Sequence, residues 1–418
     1  MEGSGWVLIK ANQIKKPSSW KAFFLKEDTS VIELSQLRQD INEIDNELMI
    51  LLAKRRRISH LVADAKIAQN KPVRDIKREE QMLVELIQGG KSLSLDAYYV
   101  KQVFQVIIED SVLHQQALLQ RHSNAASGDL PLNRVAYLGS QGSYSDLATQ
   151  KYFSRHPSEL KQLGCSSFQE IIDKVEQGHA DHGILPIENT SSGSINEVYD
   201  LLQHTNLSIV GELTHPVNHC MVTAVDTTPD KIKKFYAHPQ VVAQCSNYLS
   251  QFSDVEIEYC DASSAAFEAV KNDTTGTLAA LGSGEGARLY GLQIIAEALA
   301  NQKENFSRFI VLAAKAVQVS TQIPSKTTWI MSTEQKPGAL VDALLILKQH
   351  QVNMCKLESR PINGNPWEEM FYVDVESNMR DANLERALNE LKQSTRYLKI
   401  LGCYPSEDIQ PAKINLGE

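Results

Sequence analysis

The chain has 418 residues, enough for two or three domains with separate cores. With 42% hydrophobic and 22% charged residues and no low-complexity tract, its composition is that of an ordinary globular protein. A net charge of −9 argues against a general nucleic-acid binder, so any anionic ligand must meet local basic groups.

No apolar run approaches the ~18–20 residues that cross a bilayer, so no membrane partner is expected. Cys165, Cys220, Cys245, Cys260, Cys355 and Cys403 lack C-x-x-C spacing and read as reduced thiols of a cytoplasmic protein, not as a disulfide framework. Residues 1–33 carry lysines and tryptophans but no apolar stretch followed by a cleavage site. They read as a poorly structured extension without a secretory signal.

Residues 34–122 contain almost no Gly or Pro and read as helix throughout. One helix is predicted from about Ser35 to Gln69, stopping at Asn70-Lys71-Pro72, a second after Pro72, and a third from about Leu95 to Gln120. On the first, Leu34, Leu37, Ile41, Ile44, Leu48, Leu51, Ile58, Val62 and Ala65 step by threes and fours, the seam of a helix packed along its length. The slot between Leu51 and Ile58 holds Arg55. Its side chain either snorkels to water or, desolvated inside a helical bundle, binds a carboxylate bidentately.

Lys66 shares a face with Arg55, about 16 Å along by helix rise, so two long side chains can close on one small molecule. Asp75, Arg78 and Glu79 stand at i, i+3 and i+4, one polar face of the second helix, and Ser111 and Gln115 repeat the i, i+4 relation on the third. Arg38 lies about 25 Å from Arg55 along the same rod. If both hold one ligand, Arg38 must come from a second chain.

Arg38, Arg55, Lys66, Asp75, Arg78, Glu79, Ser111 and Gln115 match the pattern of the all-helical chorismate mutase domain, which this block resembles over its whole length. The resemblance implies an intertwined dimer with two shared active sites that turn chorismate into prephenate. That intramolecular rearrangement requires a compacted dicarboxylate and stabilised negative charge on the ether oxygen, with no nucleophile and no proton transfer. By resemblance, Arg55, Arg78, Ser111 and Arg38 of the partner subunit grip the carboxylates. Lys66 and Gln115 donate to the ether oxygen, and Glu79 orients the ring hydroxyl.

Residues 123–133 read as a linker. From 134 to 313 short β-like runs alternate with helices (RVAYLG, SDLATQKYF, HGILPIE, INEVYDLLQ), which predicts an α/β block with largely parallel strands. LGSQGSYSDLA and PIENTSSGSINEVYDLL place glycines and hydroxyls before a helix, either as anion cradles or as plain caps supplied by Ser145 or Ser194. Together with AHPQVVAQC and NFSRF they make this block resemble prephenate dehydratase.

That resemblance implies two α/β lobes around a cleft, as in periplasmic binding proteins, where prephenate loses its ring hydroxyl and carbon dioxide to give phenylpyruvate. Aromatisation drives the reaction, so neither metal nor organic cofactor is implied. It also implies an essential hydroxyl–arginine pair at Ser307 and Arg308, with Glu188, Asn189, Thr190 and Gln244 as further site positions. The family has Thr where this chain has Ser307, which keeps the hydroxyl but loses the methyl that restricts χ1. Activity is expected to survive. GSGEGARLYG lacks G-x-G-x-x-G spacing, so no nicotinamide site is expected. Pro216 breaks any helix that would align His215 and His219 as zinc ligands, and both histidines read as structural.

Residues 314–326 form a second linker, and 406–418 a tail. Between them, 327–405 read strand, helix, strand, strand, helix, strand, the α+β ferredoxin-like order. KPGALVDALL and CKLESRPINGNPWEEMF resemble the ACT domain of amino-acid biosynthetic enzymes. The resemblance implies a regulatory L-phenylalanine site between two such domains, built from Gly338, Ala339 and Leu340 with Glu358, Ser359, Arg360 and Pro361. Gly338 permits close backbone approach, and end-product inhibition follows if phenylalanine favours a less active arrangement. The alternative is a sheet that only dimerises.

From about 34 to 405 the chain thus resembles the bifunctional chorismate mutase/prephenate dehydratases. The resemblance implies a cytoplasmic homodimer or higher homo-oligomer whose partners are chorismate, prephenate and L-phenylalanine. Two alternatives stand beside it: a monofunctional prephenate dehydratase with a helical dimerisation block, and a non-catalytic ligand sensor with binding-protein lobes.

Overall fold

The computed structural model describes residues 34–124, 132–156, 158–362 and 368–407. The expected N-terminal extension, most of the 123–133 linker and most of the tail lie outside them. The chain divides after Arg57 into two compact units.

The described part of the first unit is the leading stretch of helix α1 (Leu34–Gln69). Its seam is uncovered: Leu34, Ile41, Ile44, Leu48 and Leu51 are 50–63% exposed. In the second unit the expected seam continues through Ile58, Val62 and Ala65, yet these too are exposed. The buried positions of α1 are Ser59 and Ala63, one residue further on. The predicted seam is therefore not the face that α1 buries among the described residues. Helix α1 carries two stripes, and the one of small residues meets the chain's own helices. Ala63 joins Leu83, Ile108, Val112 and Leu119 of helices α2 (Ile76–Lys91) and α3 (Ala97–Ser123) in one core. Asp75 and Asp96 cap those helices by accepting from Arg78 N and Tyr99 N, each at 3.0 Å.

The middle of the chain builds two sheets, hence two lobes. In the first, the order is β2 (Glu159–Cys165), β1 (Leu132–Leu138), β3 (His182–Asn189), β11 (Phe306–Ala313), β5 (Ser208–Pro216), with β4 (Gly193–Ser194) beside β3. Helices α4 (Tyr144–Phe153), α5 (Phe168–Glu176) and α6 (Asn196–His204) lie between its strands in sequence.

The second sheet runs β10 (Gln293–Ala296), β6 (His219–Thr223), β9 (Leu278–Ser283), β7 (Lys234–Ala237), β8 (Glu256–Tyr259). Its helices are α7 (Pro239–Gln244), α8 (Ser246–Leu249), α9 (Ser263–Val270) and α10 (Gly284–Leu289). The expected largely parallel sheets are in fact mixed. Strand β1 is parallel to β2 and β3, but β11 is antiparallel to β3 and β5, and β6 is antiparallel to β9 and β10. The chain leaves the first lobe along β5, builds the second, and returns along β11 against its neighbours. Both crossings therefore fall at the junction of the lobes.

The third sheet has the order β13 (Met354–Pro361), β14 (Glu369–Val375), β12 (Ser325–Ser332), β15 (Tyr397–Pro405), antiparallel throughout, with helices α11 (Ala339–Gln349) and α12 (Ala382–Ser394). Every residue of β12 is buried because both of its faces are covered. Trp329 and Met331 point to α11 and α12, joining Leu347 and Leu388. Ile330, between them, faces the first lobe and shares a core with Tyr199, Ile209 and Ile310.

Candidate active sites

Strands β3 and β11 pair with Ser307 opposite Asn189 and Arg308 opposite Glu188. Side chains alternate along a strand, so the first pair leaves one face of the sheet and the second pair the other. The expected Ser307–Arg308 pair is therefore not brought together: the two side chains point to opposite faces of β11.

On the face toward the third sheet, Arg308 is committed to structure. Its Nε donates to Glu212 (2.8 Å), Nη1 to Glu188 (3.1 Å) and Asp374 (2.7 Å), and Nη2 to Tyr404 Oη (3.0 Å). Lys326 pairs with Glu212 at 3.0 Å and Lys356 with Glu188. Three cations thus meet three carboxylates, the balance a buried ionic cluster needs. Burial opposes the Arg308 charge, but Tyr404 and the three carboxylates hold its pKa well above the ordinary value. Glu188 is likewise penalised by burial, and Lys356 and Arg308 outweigh that to keep its carboxyl below the usual range.

The opposite face opens on the junction of the lobes. Asn189 Nδ2 donates to Ser307 Oγ at 3.0 Å, and Gln244 Nε2 donates to Asn189 Oδ1 at 3.2 Å across from the second lobe. Gln244 Oε1 accepts from Asn305 Nδ2 (2.9 Å) and meets His219 Nε2 (2.7 Å), while His219 Nδ1 lies 3.0 Å from Tyr144 Oη. Asn189, Gln244, Asn305 and His219 are buried. Thr190 instead ties strand ends: its N donates to Phe306 O, and its Oγ1 accepts from Phe306 N, both at 2.9 Å.

His219, expected to be structural, lies in this network, with Tyr144 and Asn305, which no sequence motif singles out. The available signal was position, since His219 opens β6 directly after the chain crosses between lobes. The capping expectations also change. Ser143, not Ser145, caps α4 by accepting from Asp146 N. Ser194 donates to Glu358 at 2.8 Å and caps nothing.

In the helical part of the second unit, Lys66 Nζ donates to Gln115 Oε1 (3.0 Å) and to Val73 O, and Gln115 Nε2 donates to Ser59 Oγ (3.0 Å). Burial lowers the Lys66 pKa, although nearby Glu79 and Asp75 pull it up. Ser111 Oγ bonds back to Ile107 O at 2.8 Å, and its carbonyl lies 3.5 Å from Ser59 Oγ. Glu79 is buried against Arg74 (2.8 Å), Asp75 is a cap, and Arg78 is exposed. The structure therefore gathers Lys66, Ser111 and Gln115, and adds Ser59 and Arg74, which sequence reasoning missed. In the first unit Arg55 is half-buried and Arg38 exposed.

Beside the third sheet, Gly338 (φ +84°), Ala339 and Leu340 line a cavity of about 490 Å³ with Ser332, Glu368 and Phe371. Residues 358–361 do not reach it within this chain. Glu358 holds Ser194, and Arg360 forks onto Asp200 at 2.9 and 3.0 Å.

A bundle of helices with buried polar side chains is followed by two lobes joined by the crossing strands β5 and β11, the architecture of a multidomain protein. The family model for Chorismate mutase type II matches residues 37–116, and that for Prephenate dehydratase matches residues 135–317. A bifunctional chorismate mutase/prephenate dehydratase of Enterobacter agglomerans is 52% identical over 380 residues, 91% of this chain and 98% of that one. The Escherichia coli (strain K12) protein of the same description is 50% identical over 383 residues, 92% and 99% of the two chains. A crystal structure of prephenate dehydratase from Arthrobacter aurescens in complex with L-Phe shares the fold, with a TM-score of 0.60 at 24% identity over 68% of this chain and 93% of that one. The chain belongs to the bifunctional chorismate mutase/prephenate dehydratase family.

Proposed function

We propose that the two reactions of this family run at two separate sites on the chain. The mutase site is assigned to Lys66, Gln115, Ser111, Glu79 and Arg78, with Arg55 and, from a second protomer, that chain's copy of Arg38 as carboxylate ligands by resemblance. The dehydratase site is assigned to Ser307, Asn189 and Gln244 at the lobe junction. One observation carries the second assignment: Asn189 occupies a lone pair of the Ser307 hydroxyl, and among the described residues no acceptor takes its proton. That proton is available to the ring hydroxyl of prephenate. As it departs as water, the electron pair of the ring C–CO2 bond completes the aromatic ring, carbon dioxide leaves, and the Ser307 oxygen takes a proton back from solvent water, so that the net reaction consumes one proton. Arg308 and Glu188 support the strand from behind and take no part in the chemistry.

The domain assignment is helical mutase 34–122, two-lobed dehydratase 134–313 and ferredoxin-like ACT domain 327–405. The strand order of the last block supports it, as does the cavity beside Gly338. That cavity is proposed to take L-phenylalanine, in line with the L-Phe complex of the Arthrobacter aurescens prephenate dehydratase. Residues 358–361 would then serve a neighbouring chain's cavity or the packing against Asp200. The uncovered α1 seam supports pairing with the helix of a second protomer in a cytoplasmic homodimer. The test is phenylpyruvate formation from prephenate by the Ser307→Ala chain. Loss of ~10²-fold or more is expected for a positioned proton donor, and an unchanged rate would remove Ser307 from the site.

A further inference from the structure

The cleft holds a line of hydrogen bonds whose direction can be read atom by atom. Asn189 Oδ1 accepts from the backbone N–H groups of Ser191 (2.9 Å) and Ser192 (3.0 Å), which fixes the orientation of that amide. Its two Nδ2 protons go to Asn305 Oδ1 (2.7 Å) and to Ser307 Oγ (3.0 Å), the second shared with Phe306 O at 3.1 Å. Gln244 Nε2, 3.2 Å from Asn189 Oδ1, must therefore donate, so the Gln244 oxygen is the atom facing His219 Nε2 at 2.7 Å. An amide oxygen carries no proton, so the hydrogen sits on Nε2.

His219 is 1% exposed. Burial lowers its pKa against a smaller opposing effect of Gln244, and no carboxylate is among its influences. The ring is neutral, its one proton is used, and Nδ1 is a bare acceptor toward Tyr144 Oη at 3.0 Å. Tyr144 Oη also donates to Asn218 O at 2.9 Å, so its single proton is shared between that carbonyl and Nδ1. Were its proton given wholly to that carbonyl and the ring converted to its Nδ1–H form, two lone pairs would face each other between Nε2 and Gln244.

We propose that His219, as its Nε2–H tautomer, is a positioning residue of the dehydratase: it orients the series Tyr144, His219, Gln244, Asn189, Ser307 so that each member donates to the next. Ser307, having accepted from Asn189, keeps its own proton for the departing hydroxyl. A reversed Gln244 amide would present N–H groups to Asn305 and His219 and its oxygen to Asn189 Oδ1, and the orienting series would be broken. This rests on the reading of the cleft as the dehydratase site.

The test uses the full chain with His219→Leu, His219→Gln and Ser307→Ala, with chorismate mutase turnover as the check on folding. His219→Leu is expected to lower dehydratase kcat ~10²-fold, the scale of a mispositioned proton donor, with KM little changed. His219→Gln, whose amide N–H can replace Nε2–H, is expected to recover most of that loss. Nitrogen-15 NMR of the unsubstituted chain is expected to show a protonated Nε2 and a bare Nδ1. An unchanged kcat in His219→Leu, a glutamine variant no better than leucine, or an Nδ1–H ring each overturns the proposal, and the NMR outcome stands even if both variants misfold. If Ser307→Ala abolishes dehydratase turnover while His219→Leu does not, this inference alone fails. If Ser307→Ala is also fully active, the site reading fails with it.

Discussion

Three carboxylates and a tyrosine hydroxyl already engage the Arg308 guanidinium. Arg308→Met would leave Glu188, Glu212 and Asp374 facing only Lys326 and Lys356. Breaking a buried ionic cluster of this kind is expected to cost about 3–5 kcal/mol, read as a lower denaturation midpoint in urea. Retained stability with loss of dehydratase turnover alone would return the arginine to the cleft. NFSRF makes Ser307 and Arg308 look like a pair because they are adjacent in sequence. The period-two alternation of a strand separates them, and only the long-range register of β11 against β3 tells which face is which. Lys66 and Gln115 were legible because charge and amide at helical spacing stand out on an apolar background. Ser59 was not, since a lone serine on a helix carries no such contrast.

At the scale of elements, helix α1 carries an apolar stripe that is exposed among the described residues. Leu48→Glu on that stripe is expected to halve the mass measured by light scattering and cut mutase turnover at least ~100-fold, with dehydratase turnover kept. An unchanged mass would mean that the stripe is not the protomer contact. The helix ends were readable from Pro72 and the capping aspartates. Strand direction was not, because it depends on which distant strand a segment pairs with.

Strands β3 and β5 carry a pH response. Burial, with His156 nearby, lowers the His182 pKa from 6.5 to about 4, and burial with Lys151 nearby does the same for His215. Between these values the unfolded chain binds more protons than the folded one. Stability is therefore full above pH 6.5 and falls as pH drops toward 4, by at most on the order of 3 kcal/mol per histidine. Urea unfolding at neutral and mildly acidic pH checks this, and greater stability in acid would contradict it.

Across the whole molecule, one pattern recurs: a strand serves different neighbours on its two faces. Strand β12 packs Trp329 on its helices and Ile330 on the first lobe, and β11 turns Ser307 to the cleft and Arg308 to the third sheet. The cavity beside Gly338 lies on that third sheet. Gly338→Ala forces a side chain into the left-handed region at a cost of roughly 1–2 kcal/mol. The phenylalanine needed for half-inhibition is expected to rise roughly five- to thirtyfold if that cost falls on the bound state. An unshifted inhibition curve would move the effector elsewhere.

The order of the helical, two-lobed and four-stranded blocks was legible because helical, alternating and βαββαβ patterns follow one another with little overlap. Their mutual packing was not, since it rests on contacts such as Arg308 to Asp374 that no local pattern announces. The central claim is two independent active sites. It is tested by supplying chorismate and prephenate separately to the purified chain and to its Lys66→Ala and Ser307→Ala forms. Ser307→Ala should form prephenate from chorismate at the unsubstituted rate and stop there, and Lys66→Ala should dehydrate prephenate normally while failing on chorismate. Loss of both activities from either single substitution, with circular dichroism unchanged, would contradict the account.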